Sequence, residues 1–145
     1  MKSLEEEYEE DMRRYRDLSE LLKAEFGGKA RVWETDDGVE VVTKDYKVTV
    51  VAPRMYPEKG RVEHAFVKIA PIVDNPVEEW LITYLAGRAM EWGWKLRDTP
   101  GYSFEKLKRY IAEVKLLKWL VKEASPDALL IALALSRIEV GVYPV

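Results

Sequence analysis

A chain of 145 residues that is 48% hydrophobic and 34% charged has enough apolar surface for one core and too much to be disordered, so a single domain spanning 1–145 is expected. Lacking cysteine, it has no disulfide, thiolate nucleophile or Cys-ligated metal. The net charge of −3 excludes a globally basic nucleic-acid binder, but the charge is uneven: residues 1 to 25 hold nine acids against five bases, which leaves the remainder at +1.

Leu4, Tyr8, Met12, Tyr15, Leu18 and Leu22 recur at three- and four-residue spacing, which predicts a helix over residues 2 to 26 stopped by Gly27-Gly28. The stripe suits packing on its own domain and also fits a heptad seam. The acidic stretch from Glu5 to Asp11 reads as a solvated helix face. It follows Leu4 directly, without the apolar region of a secretion signal, so a cytoplasmic protein is expected.

From Ala30 to Pro71 the period changes to two, predicting a four-stranded antiparallel meander with strands near 30–36, 39–44, 46–52 and 61–70. The pair Asp37-Gly38 is expected to supply the positive φ of a primed hairpin turn. Pro53 to Gly60 reads as a longer loop. Pro76 then opens a helix expected to run to about residue 95, with Val77, Trp80, Leu81, Tyr84, Leu85, Arg88 and Trp92 at helical spacing. Trp92 and Trp94, two apart, cannot share one face of such a helix. Ser103 caps a further helix to about residue 124, with Leu107, Val114, Leu117 and Val121 as its apolar stripe. A short apolar helix over 127–135 and an edge strand over 138–142 complete an α+β reading: N-terminal helix, meander sheet, helical C-terminal half. The apolar run from Ala128 to Leu135 has eight residues, against the roughly 20 a membrane span needs, so no membrane association is expected.

Catalytic signatures are absent. The single histidine, His64, lacks the further N or S ligands of a zinc or iron site, and no metal or other cofactor is expected. No Ser stands in a nucleophile-elbow motif, and no glycine-rich phosphate loop follows a strand. The carboxylate pairs Asp36-Asp37 and Glu78-Glu79 fall at a hairpin tip and in a helix first turn, where acids are structural. A non-enzymatic protein is the expectation. The sequence has no glutamine and one asparagine, Asn75, and its charge is carried mainly by Lys, Glu and Arg; this is the composition of a hyperthermophile, with an archaeon as the expected source.

Alternation sends Val32, Val39, Val41, Thr43, Tyr46, Val48, Val50, Ala52, Ala65, Val67 and Ile69 to the core face of the sheet. The other face then carries Arg31, Trp33, Glu40, Val42, Lys44, Lys47, Thr49, Val51, Val62, His64, Phe66 and Lys68. Aromatics beside bases are the chemistry that holds single-stranded nucleic acid: unpaired bases stack on rings while phosphates attract cations. Trp33 and Phe66 are the expected stacking platforms, with Arg31, Lys44, Lys47 and Lys68 as phosphate contacts. Arg54, Tyr56, Lys59 and Arg61, in and beside the 53–60 loop, form a rim over one end. The competing arrangement places the N-terminal helix on this face, hiding Trp33 and Phe66 under Tyr8, Met12 and Tyr15. A second, weaker stripe on the helix after Ser103 sets Lys108, Lys115, Lys118 and Lys122 beside Phe104, Ile111 and Trp119; snorkelling lysines are its plain reading.

This organisation resembles the ThermoDBP-related proteins, a single-stranded DNA-binding family of hyperthermophilic archaea. The likeness lies in the helix, the meander from Ala30 to Pro71 and the helical C-terminal half, with aromatics and bases available to line a cleft. It implies binding of single-stranded DNA, or RNA as the alternative strand, with little base specificity, and a role in DNA replication or repair. The chain stops at Val145 without the extended zipper tail of the founding member, which leaves a homodimer open. The alternative function is a protein-interaction module dimerising through the apolar 128–135 helix. An enzyme with an unannounced carboxylate or Tyr site is a third reading, to be recognised by a deep cleft with acids of raised pKa.

Overall fold

The computed structural model of the chain describes residues 2–87 and 91–123. The 127–135 helix and 138–142 strand expected above lie outside the described residues. Ser3 opens helix α1 (Leu4–Phe26): its hydroxyl accepts the Glu6 N–H at 3.2 Å, and Glu5, Glu6 and Glu7 sit in the first turn, where acids suit the dipole. Leu18 and Leu22 are buried, and Tyr15 packs partly buried on the same core, so these members of the predicted stripe are used within the chain.

The main sheet has five antiparallel strands in the order β1 (Arg31–Glu34), β2 (Gly38–Val42), β3 (Tyr46–Val51), β6 (Phe66–Pro71) and β7 (Trp92–Lys95). The fold class is α+β as expected, with two corrections to the strands. First, the 53–60 segment is not a plain loop: β4 (Arg54–Tyr56) and β5 (Arg61–Glu63) pair as a separate two-stranded ribbon around the turn Pro57–Lys59. The predicted 61–70 strand is therefore split at His64-Ala65, where the chain passes from ribbon to sheet. Second, the helix opened by Pro76 does not reach residue 95. Helix α2 spans Pro76–Ala86 and ends at Gly87, whose φ of 67° is the left-handed conformation that stops helices. Residues 92–95 then form β7, in which Trp92 and Trp94 do share one face, because side chains two apart in a strand point the same way. Trp92 is buried and Trp94 packs partly buried against the same core.

The first two hairpins are closed by threonines. Thr35 N–H donates to the Gly38 carbonyl at 2.8 Å, and the Thr35 hydroxyl accepts the Asp37 and Gly38 N–H groups. Thr43 repeats the motif, its N–H donating to Tyr46 at 2.9 Å and its hydroxyl accepting from Asp45 and Tyr46. Gly38 does not supply the positive φ expected of it. It is glycine for space, since a Cβ there would lie 1.9 Å from the Val50 carbonyl oxygen.

Helix α3 (Ser103–Glu123) presents Leu107, Ile111, Val114 and Leu117, all buried. These side chains, Leu18 and Leu22 of α1, and Ile82 of α2 form one core cluster with Val41, Val48, Val50, Val67 and Ile69. All three helices therefore cover the same face of the sheet. The arrangement in which α1 hides Trp33 and Phe66 is not the one adopted, because α1 lays Leu18 and Leu22 on the valine side. No helix among the described residues is long and apolar enough to cross a membrane.

Candidate nucleic-acid interface

The register aligns the face opposite the helices in cross-strand rows. One row runs Trp33, Glu40, Thr49, Lys68, Gly93; the row on one side runs Arg31, Val42, Lys47, Ala70, and on the other side Val51, Phe66, Lys95. Trp33 on β1 and Phe66 on β6 are three strands apart, roughly 14 Å at ordinary interstrand spacing, so they form two separate platforms rather than one stack. Both rings are half-buried and border exposed basic side chains. Arg31 lies over the Trp33 ring at 5.1 Å from its centroid, keeping the indole face close to a cation.

The bases are largely compensated. Lys47 pairs with Glu40 at 3.1 Å and Lys68 with Glu91 at 3.2 Å. In the rim, Arg54 pairs with Asp37, and Arg61 with Glu63 at 3.6 Å. The Tyr56 hydroxyl, and then the Asp37 carboxylate, hold the Arg54 guanidinium more firmly charged. Lys59 and Arg61 both lie over the Tyr56 ring, 5.4 and 5.6 Å from its centroid. Exposed pairs of this kind are worth little, so they orient the cations without locking them against an incoming anion.

Between the β4–β5 ribbon and the end of the sheet is a cleft of about 410 Å³, lined by Arg54, Arg61, His64, Phe66 and Lys95 among others. Three residues assigned from sequence, Arg54, Arg61 and Phe66, thus meet at one end of the interface; Arg31, Trp33 and Lys47 stand at the far side of the sheet, and Lys68 between. Lys44 is drawn away, lying at the tip of the β2–β3 hairpin.

Two expectations here are corrected. Val62 is buried within the ribbon rather than displayed on the open face. His64 turns toward α1: its Nδ1 is 3.0 Å from Asp11 Oδ2, and the Ala65 N–H donates to the same oxygen at 2.6 Å. Asp11 is fully buried, against the reading of the acidic stretch as solvated throughout, and Arg14 donates to its other oxygen at 3.0 Å. Asp11 stands four, seven and eleven residues before Tyr15, Leu18 and Leu22, so its place on the packed face was visible in the spacing. What it binds there was not.

The lysine stripe on α3 is divided. Lys118 reaches Glu78 and the Ile72 carbonyl, whereas Lys108 lies over Phe104 at 4.8 Å. Lys115, Lys118 and Lys122 line a second groove of about 920 Å³ with Trp80 and Trp119. The Lys118 ammonium and a backbone N–H at Asp74 outweigh the opposing effect of desolvation and hold the Glu78 carboxyl below its ordinary value. Glu10, bonded to Lys2, and Glu34, bonded to Lys23, are lowered in the same way. Among the described residues no three His, Asp or Glu side chains converge to hold a metal ion. No family model matches this sequence, and no curated protein or solved structure matches it either.

Proposed function

We propose that this protein binds single-stranded nucleic acid, DNA in the first instance, on the sheet face opposite its helices. The observation that carries this reading is the one-sidedness of the packing: α1, α2 and α3 all pack on the valine face, while Trp33, Phe66, Arg31, Lys47 and Lys68 share the other. Bases stack on the half-buried rings and phosphates exchange for the carboxylates that now hold the lysines and arginines. With aromatic faces and mobile cations as its tools, the surface discriminates strand from duplex rather than one base from another. The likeness to the ThermoDBP-related proteins is part of the same proposal.

Fluorescence anisotropy of labelled oligo-dT and of the matching duplex, titrated at two salt concentrations, tests it. Strand-selective binding with quenching of tryptophan emission is expected, and log affinity should fall with log salt by about 0.7 for each phosphate contacted. Equal affinity for the duplex, or no binding at low salt, would remove the interface from consideration.

A second reading is favoured by a different observation. Val77, Trp80, Leu116 and Trp119 are 65%, 44%, 56% and 58% exposed on α2 and α3, more apolar surface than single scattered side chains account for. A protein-interaction role predicts a concentration-dependent mass in light scattering that Trp119→Lys abolishes; a constant monomer mass argues against self-association through this surface.

A further inference from the structure

Asp11, Arg14, His64 and Arg97 form a connected chain of side chains that the reading above does not use. Arginine has only donors, so the 2.6 Å contact from Arg97 Nη1 makes His64 Nε2 an acceptor. The imidazole is then neutral with its proton on Nδ1, donated to the buried Asp11 carboxylate at 3.0 Å. Asp11 itself is balanced by Arg14. Arg97 is exposed, and among the described residues no carboxylate is paired with it; its guanidinium meets the imidazole lone pair instead. Lys95, in the cleft beside Phe66, likewise has no carboxylate partner among the described residues. The other cations of the cleft, Arg54 and Arg61, face Asp37 and Glu63. The uncompensated positive charge at this end of the interface is therefore concentrated at Lys95 and Arg97, next to a histidine that lines the same cleft and accepts from Arg97 through Nε2.

We propose that His64 and Arg97 form a phosphate subsite of the strand-binding surface, and that filling it takes up one proton; this rests on the reading of the open sheet face as a single-strand interface. An incoming phosphate oxygen offers the Arg97 guanidinium a charged acceptor in place of the imidazole lone pair. Relieved of that donor, His64 gains a proton from solvent on Nε2 and donates it to the phosphate, while Nδ1–H stays on Asp11. Asp11 and Arg14 on α1, Asp37 before β2, Arg54 on β4, Arg61 and Glu63 on β5, Lys95 on β7 and Arg97 beyond it are the charged groups around this imidazole and its cleft. Among these residue types, imidazole is the one that exchanges a proton in the neutral range.

Because the chain has one histidine, its ring resonances report the site without ambiguity. Oligo-dT without a terminal phosphate, with a 5′-phosphate and with a 3′-phosphate, added at one pH near neutrality, should move the His64 resonances toward their protonated positions. Affinity should rise as pH falls, approaching about tenfold per pH unit, the limit for one proton. His64→Asn, whose amide can still donate to Asp11, should bind strand with that slope removed. Arg97→Ala, at an exposed position, should lose the resonance response and serves if the first variant does not fold. A stronger response to either phosphorylated strand identifies a terminal phosphomonoester as the ligand, and an equal response an internal phosphodiester. Strand binding that leaves the His64 resonances and the pH slope unchanged overturns the subsite while sparing the interface. If no strand binds, the interface fails, and inorganic phosphate then decides: a His64 response lost in Arg97→Ala supports the phosphate site, and no response overturns it.

Discussion

Trp33 is half-buried with one face under Arg31, an arrangement that presents an aromatic ring already ordered for stacking. Replacing Trp33 with Ala should weaken single-strand binding by about 1 to 3 kcal/mol while leaving the fold intact, measured by anisotropy beside a thermal melt. An unchanged affinity in a folded variant would take Trp33 out of the interface. Asp11 shows the opposite relation between sequence and site. One carboxylate in an acidic run satisfies the Ala65 N–H and orients the only histidine, tying α1 to the point where the ribbon joins the sheet. The five acids that precede it in the run are no guide to that role, because the partners lie 53 and 54 residues away.

At the level of elements, the tight approach of β2 to β3 depends on Gly38. A methyl group there would meet the Val50 carbonyl at 1.9 Å, so Gly38→Ala should cost upwards of about 1 kcal/mol and loosen the hairpin, read as a lowered denaturation midpoint. Helix α2 is joined to α3 by the Glu78–Lys118 pair, in which both side chains are largely buried. The folded Glu78 carboxyl lies below its unfolded value, so its contribution is present above the ordinary Glu range, near pH 4.3, and is lost as pH falls through the lower folded value. Thermal stability should therefore drop in acid more steeply in the native protein than in Glu78→Gln, compared by melting curves across that window. Parallel curves would show that the pair carries no such linkage. The β4–β5 ribbon is the element that turns a flat sheet face into a cleft, and it does so by lifting Arg54 and Arg61 over Phe66.

Across the molecule, the decisive arrangement among the described residues is three helices on one side of a five-stranded sheet. Each helix has one apolar stripe and each strand alternates, so a single layer of helices suffices to bury the valines and leaves a mixed aromatic and basic surface opposite. Net charge conceals this surface, since the acids of α1 offset the bases of the sheet. Binding that is steep in salt is the expected sign that local rather than total charge governs the interaction.

The α+β class, α1, the two-residue period of the meander, the Pro76 and Ser103 helix starts, and the membership of the two sheet faces along β1, β2, β3 and β6 were readable in the chain, because each follows from short-range pattern, whereas the placing of Val62 and His64 was not. What lay beyond that range was decided by packing. Residues 92–95 carry Trp-Gly-Trp-Lys, compatible with either period when taken alone; only an open edge on β6 makes them a strand, which brings Lys95 beside Phe66. The ribbon needs Arg54 and Glu63 to meet across a turn, and the Asp11–His64–Arg97 chain joins residues from α1, the ribbon junction and the turn after β7. Sequence alone determined which side chains of β1, β2, β3 and β6 stand on each face, since the pleat is local; tertiary structure alone decided which face is covered and which polar groups converge, since those depend on where distant segments dock.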